Sequence, residues 1–198
     1  MAALLYNGRL IMLHDLFKIS VWVKDLKYDS SDLLSHCLKL EQKENSDEGS
    51  LWGWKSRTLD SSLSCVAALH NKIQTEIDSY SKQLSLPNMK ISTSWANVNN
   101  FKDFNMLHEH PGSVLSGVYY LSLPEHSGDI HFIHPSDKLS WAGFNKRLSH
   151  NHYNSEQWHI NAHTGVLFIF PAWCKHYVSP SANRNEKRVS VSFNTIYS

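Results

Sequence analysis

Two histidines spaced two apart, His108 and His110 in Met106-Leu107-His108-Glu109-His110-Pro111, are the first residues whose pattern suggests chemistry. On an extended strand such residues share a face, so both imidazoles aim at one point, the geometry of a chelate for a divalent metal, while Glu109 points the other way. A third donor is expected from Gly165-Val166-Leu167-Phe168-Ile169-Phe170-Pro171-Ala172-Trp173-Cys174-Lys175-His176. There an apolar strand breaks at Pro171, and His176 comes back from a neighbouring strand to face the pair. Downstream, Arg188, Ser190, Ser192 and Asn194 alternate with Val189, Val191 and Phe193. The apolar set belongs to a core. The polar set is either a solvent face or, beside three histidines, the lining of a site. A lone arginine there suits a dicarboxylate, because a guanidinium fork grips a carboxylate through two parallel hydrogen bonds.

The chain that positions these groups has 198 residues, 41% of them hydrophobic, enough for one core. One domain over 1–198 is expected, helix-rich over 1–90 and strand-rich over 91–198. Nineteen Lys and Arg against eighteen Asp and Glu leave a net charge of +1, and the basic residues form no stripe. Nucleic-acid binding therefore lacks its electrostatic footprint. No apolar run approaches the roughly 20 residues of a membrane span, and the opening Met1-Ala2-Ala3-Leu4-Leu5-Tyr6 has no signal-peptide pattern, so a soluble cytoplasmic protein is expected. The cysteines Cys37, Cys65 and Cys174 are odd in number and far apart, which suits free thiols in a reducing compartment.

Residues 11–23 are rich in β-branched and aromatic types and predict a first strand. From Ser31, the spacing of Leu33, Leu34, Cys37, Leu38 and Leu40 predicts a helix; Gln42 to Ser50 reads as a loop. A second helix follows from the stripe Leu63, Val66, Ala67, Leu69, His70, Ile73, Ile77 and Tyr80, ending before Leu86-Pro87-Asn88. Beyond Lys90 the period switches to two, predicting strands at 91–99, 114–123, 130–133, 166–170 and 188–194, with a long polar stretch from Asp137 to Trp158. Helices followed by strands give an α+β, mainly β class, with the helices packed on one face of an antiparallel sheet.

In this order along the chain, Gly53-Trp54-Lys55-Ser56, Ser94-Trp95-Ala96-Asn97-Val98-Asn99, His108-Glu109-His110-Pro111, Ser116-Gly117-Val118-Tyr119-Tyr120-Leu121, Gly165 to Pro171 with His176, and Arg188 to Asn194 resemble the iron(II)- and 2-oxoglutarate-dependent oxygenases, and within them the prolyl-hydroxylase-like oxygenases of bacteria and phages. The resemblance covers most of the chain. It implies a double-stranded β-helix, or jelly roll, with supporting N-terminal helices. It also implies Fe(II), 2-oxoglutarate as cosubstrate and O2, with ascorbate as an accessory reductant. The implied activity hydroxylates a protein or peptide side chain such as proline, or a small molecule, and releases succinate and CO2. The family's metal motif lands on His108 and His110, with His176 as the distal histidine. Arg188 matches the arginine that grips the far carboxylate of 2-oxoglutarate, Tyr120 the tyrosine that assists it, and Asn99 a polar contact at the keto-acid end.

The family's usual carboxylate is replaced here by His110. The resemblance then leaves three readings: a three-histidine iron site, a bulge before Pro111-Gly112 that swings Glu109 in, or loss of catalysis. Inward alternation favours the first. Two other functions compete: a cupin-like three-histidine dioxygenase with no need of a dicarboxylate clamp, and a metal-binding jelly-roll module closed by a fourth ligand such as Cys174. His14, His36 and His70 read as surface or core residues. His126, His131, His134, His150, His152, His159 and His163 crowd around the candidate site in sequence and read as a second, adventitious metal site or a substrate surface rather than as primary ligands.

Overall fold

Alternation along three long strands decides this architecture. In the computed structural model, which describes residues 3–6, 9–12, 18–47, 52–136, 146 and 148–198, the strands β1 (Ala3–Tyr6) and β2 (Arg9–Met12) pair with each other. Then follow β3 (Trp22–Asp25), α1 (Ser31–Lys43), β4 (Trp54–Lys55), α2 (Ser64–Gln83) and β5 (Met89–Asn99). The remaining strands are β6 (Asn105–His108), β7 (Leu115–Ser122), β8 (Ile130–Ile133), β9 (Gln157–His159), β10 (Val166–Pro171), β11 (His176–Val178) and β12 (Arg188–Tyr197). A larger sheet runs β3-β10-β7-β12-β5-β4 and a smaller one β6-β11-β8-β9. Every pairing is antiparallel. The two sheets and their two helices form the jelly roll expected from the sequence.

Both faces of the larger sheet are covered, and the side-chain period of two sorts its residues between them. Tyr119 and Leu121 of β7, Leu167 and Ile169 of β10, and Val189, Val191 and Phe193 of β12 join Leu33 and Cys37 of α1 and Val66, Leu69, Ile73 and Ile77 of α2 in one core. Their neighbours Val118, Tyr120, Val166, Phe168 and Phe170 point the opposite way and pack with Ile130 and Phe132 of the smaller sheet. At roughly 1.5–3 kcal/mol for each large apolar side chain buried, these two cores hold the sheets in register and hold the helices against them. Gly117 marks the tightest contact: a Cβ there would lie 2.3 Å from Phe193 Cζ and 2.5 Å from the Phe168 carbonyl oxygen.

The two helices lie within two residues of their expected starts. The strand expected over 11–23 is not continuous: extended pairing occurs at β2 and again at β3, residues 18–21 are irregular, and 13–17 fall outside the described residues together with His14. Tyr80 fixes that connection from α2 by donating its Oη–H to the Ser20 carbonyl at 2.6 Å. The polar stretch 137–158, described only in part, contains the start of β9. Among the described residues no helix is long and apolar enough to cross a membrane.

Candidate metal and cosubstrate site

His108 closes β6 and pairs directly with His176, which opens β11. The register between these strands shifts, because Val178 pairs with Asn105: two steps on β11 match three on β6. The extra residue is taken up at Met106 and Leu107, each 55% exposed. This bulge turns Asn105 and His108 toward the same interior cavity. His110 follows past the end of the strand and is held by its own backbone, whose N–H donates to the Ala172 carbonyl at 2.9 Å. The next residues form a turn: Pro111 at its second position, Gly112 at φ +82°, and Ser113 N–H donating to the His110 carbonyl at 3.3 Å. Pro then Gly with positive φ is the signature of a type II turn. Glu109, between the two histidines, is exposed to solvent.

One ring nitrogen from each of His108, His110 and His176 lies within 4.8 Å of the other two. The ring centroids are 4.3 Å apart for His108 and His176, 5.0 Å for His108 and His110, and 5.2 Å for His110 and His176. Backbone carbonyls set two of the tautomers. His108 Nδ1–H donates to the Met106 carbonyl at 2.6 Å and His176 Nδ1–H to the Cys174 carbonyl at 2.8 Å. A carbonyl accepts only, so the proton sits on Nδ1 and the Nε2 lone pair is left for the cluster, the arrangement found behind metal-ligating histidines. Burial, with His108 and then Lys55 adding to it, pushes His110 down to about 4. Burial, and next the charge of His108, pushes His176 down to about 3. Both rings are therefore neutral at pH 7, the form in which imidazole binds metal.

The same cavity, of about 60 Å³, is lined by Arg188, Tyr120, Asn97, Ser190 and Ser192. Arg188 is 2% exposed. Its Nη1–H groups donate to the carbonyls of Ser127 at 2.7 Å and Gly128 at 3.4 Å, and Nη2–H to Asn105 Oδ1 at 3.5 Å. At Gly128, with φ +92°, a Cβ would lie 2.2 Å from the Ser179 carbonyl oxygen and 2.8 Å from that Nη1, so glycine lets the chain pass between them. Burial lowers the guanidinium below its ordinary value, with Tyr120, Asp103 and Asp129 opposing. Tyr120, 3% exposed, is pushed up to about 12 by burial, the nearby Arg188 charge working against it. The polar face predicted for β12 thus looks into the cavity through Arg188, Ser190 and Ser192, while Asn194 lies in the adjoining cleft.

Asn99 differs from expectation. Trp95 and Asn97 of β5 reach the cavity, and Asn97 Nδ2–H donates to Ser192 Oγ at 3.0 Å. Asn99 sits at the end of β5 with Gly53 against its amide, its Oδ1 buried with no hydrogen-bond partner, and it is not part of the cavity wall. Cys174 is buried in the core between the sheets, its thiol pushed up to about 11 by burial, and is no member of the histidine cluster. His70 is held by Ser94 Oγ at 2.9 Å, and His131 faces His159 and stacks on Tyr177 at 4.7 Å, away from the cluster. Asn105, Ser127 and Gly128 were not singled out from sequence. The only signal was the Ser127-Gly128 turn pair, which says nothing of the arginine 60 residues away.

A second, wider cleft of about 500 Å³ reaches His108 and His110 from outside. Its walls include Trp95, 6.0 Å from the His110 ring, and Trp52 stacked on Phe104 at 5.0 Å. Lys55 sits over the Trp95 ring at 5.2 Å and 3.5 Å from Asp47.

A family model described as "Putative 2OG-Fe(II) oxygenase" matches residues 93–194, which include all three histidines, Tyr120 and Arg188. No curated protein sequence matches the chain. Among solved structures, the epimerase SnoN from nogalamycin biosynthesis aligns with a TM-score of 0.67 at 14% identity, over 90% of this chain and 79% of that one. A prolyl-4-hydroxylase of Pseudomonas putida aligns at 0.64 and 12% identity, over 91% and 94%. HygX from Streptomyces hygroscopicus, solved with nickel and 2-oxoglutarate bound, aligns at 0.63 and 11%, over 91% and 84%. At these identities the likeness is one of fold.

Proposed function

This chain belongs to the iron(II)- and 2-oxoglutarate-dependent oxygenases, and from that premise we propose that His108, His110 and His176 hold the iron while Arg188 and Tyr120 hold the far carboxylate of 2-oxoglutarate. It is an enzyme, with Fe(II), 2-oxoglutarate and O2 as its cofactors. The donor set fits the metal: three imidazoles converge, and the tautomers of His108 and His176 are set by carbonyls behind them. When bound, the iron supplies oxygen activation coupled to decarboxylation of the keto-acid.

The chain's own residues bind, orient and exclude water. Arg188 offers a buried cation to a carboxylate, and Tyr120 keeps its proton and so donates a hydrogen bond. Asn97 lines the cavity and is the polar side chain of β5 that we propose for the keto-acid contact expected of Asn99, which is not part of that wall. Phe170, 4.7 Å from the His176 ring, and Val118 and Ile130 keep the cavity apolar around the reacting atoms. The overall reaction consumes 2-oxoglutarate, O2 and a substrate C–H bond, and yields succinate, CO2 and the hydroxylated carbon. The substrate we propose is a protein or peptide side chain such as proline. The aromatic-walled cleft running to His108 and His110 supports this, being wide enough to admit a side chain from solvent. The Pseudomonas putida enzyme, a prolyl-4-hydroxylase, shares the fold over nearly its whole length.

One observation carries the reading: the histidine cluster and the buried guanidinium of Arg188 line a single cavity. A cupin-like dioxygenase has no use for that guanidinium. Anaerobic titration of the metal-free protein with Fe(II), then 2-oxoglutarate, should develop the visible charge-transfer band of a chelated keto-acid. His176→Ala and Arg188→Met should lose it. Iron binding with no band at saturating 2-oxoglutarate would overturn the assignment. Turnover is followed as succinate release, and the substrate as a peptide gaining one oxygen atom by mass spectrometry.

A further inference from the structure

A divalent metal is usually held with some negative charge from its protein ligands, and this cavity offers none. Every described residue of its wall is neutral or cationic. Glu109, the nearest carboxylate in sequence, is exposed. Arg188 adds a buried positive charge whose hydrogen-bond acceptors are two carbonyls and one amide oxygen. Metal and wall together would carry +3, where a two-histidine, one-carboxylate set in the same wall would carry +2; Asp103 and Asp129, outside the wall, act on Arg188 and not on the ligand set. In a low-dielectric interior such charges repel strongly across a few ångströms, and only an anion between them relieves it.

Resting on the site assignment proposed above, we infer that the protein by itself retains iron(II) weakly, that dianionic 2-oxoglutarate bound between metal and Arg188 locks it in, and that His110 sets this dependence. The cosubstrate is then also a gate on metal occupancy. When 2-oxoglutarate is scarce the centre empties, and when it is abundant metal and cosubstrate load together. Coupling is reciprocal, so the metal raises affinity for 2-oxoglutarate by the same factor. A factor of about 5- to 150-fold is the range for coupled sites.

The test is anaerobic isothermal titration of the full metal-free chain with Fe(II), and in parallel with Co(II), with and without 2-oxoglutarate. Wild type should bind metal at least about fivefold more tightly with 2-oxoglutarate. The monoanion 2-oxobutyrate, which keeps the keto-acid head and lacks the far carboxylate, should give a smaller gain. His110→Asp, or His110→Glu if the first variant shows a non-native far-ultraviolet spectrum, should bind metal more tightly alone and gain less from 2-oxoglutarate. Wild-type metal affinity that 2-oxoglutarate raises no more than 2-oxobutyrate does, or no more than in the carboxylate variants, overturns the inference and leaves the site assignment standing. Metal binding indistinguishable from His176→Ala under all conditions overturns both.

Discussion

Replacing Arg188 by methionine separates function from folding more cleanly than any other change at the site. Methionine keeps an unbranched apolar stem of similar length and deletes only the guanidinium. Among the described residues of the cavity wall Arg188 is the sole arginine or lysine, at 2% exposure, and its hydrogen-bond acceptors are two carbonyls and one amide oxygen. A carboxylate bound there is desolvated, and removing one partner of a buried charge pair costs about 3–5 kcal/mol. At about 1.4 kcal/mol per tenfold, the dissociation constant for 2-oxoglutarate should rise by roughly two to three and a half orders of magnitude. Stability should move little. The carbonyls of Ser127 and Gly128 lose a donor, at about 1–3 kcal/mol for an unsatisfied acceptor, while an unpaired cation leaves the interior, a gain of similar size. Titration of the charge-transfer band gives the affinity, and calorimetry should place the melting temperature within about 4 °C of wild type, near 1 kcal/mol for a chain this size. An affinity loss under about tenfold in a protein that melts normally would refute the clamp, because no desolvated charge pair is so weak.

His176→Ala removes the donor that β11 sets opposite His108 of β6 and should abolish iron binding in the titration above; residual binding of wild-type strength would move the metal elsewhere. Gly117→Ala forces a methyl against Phe193 and the Phe168 carbonyl and should destabilise the fold by about 1–3 kcal/mol, read as a lower urea midpoint; an unchanged midpoint would mean the contact relaxes freely. Tyr120 has its folded value raised from 10.0 to about 12, so the unfolded chain gives up that proton first. Its contribution to stability is complete below pH 10 and falls as pH rises from 10 toward 12, and Tyr120→Phe should lose less stability across that window in pH-dependent denaturation.

What was legible in the sequence was whatever rests on long, regular alternation. β12 declares both its faces, because Val189, Val191 and Phe193 must meet the helices and the residues between them must not. The stripe on α2 shows in the same way through Val66, Leu69, Ile73 and Ile77. The strands of two or three residues were illegible, whereas the four-residue β8 was expected at 130–133. β4 has two residues and β9 and β11 three each, too few for a period to appear, and they are strands only because a neighbour supplies the ladder. The His108 and His110 pair was read correctly as converging, yet His110 lies beyond the strand that was to aim it. What brings both rings inward is a bulge at exposed Met106 and Leu107 followed by the Pro111-Gly112 turn. A bulge in this region was foreseen as a way to admit Glu109, and the actual one leaves Glu109 in solvent. Asn99 was carried one step too far along β5, because alternation gives the face and not the depth at which a cavity ends.

The site's precision therefore rests on strand register more than on any single contact. Arg188 and Val189 are adjacent on β12, one in the cavity and the other in the helix-side core. A slip of one residue would exchange them, burying a guanidinium among Leu121, Val98 and Val191 and presenting valine to the cosubstrate. Two strands oppose the slip. β5 pairs with β12 along its whole length, from Arg188 with Asn99 to Tyr197 with Met89, and β7 pairs with it on the other side from Val189 to Asn194. Both ladders shift register within that length, between Asn194 and Thr195 against β5 and between Val189 and Ser190 against β7, and an irregular ladder fits only one alignment. The second shift lies one residue from Arg188, so the irregularity that locks the strand is also what sets the depth of the guanidinium behind the histidines.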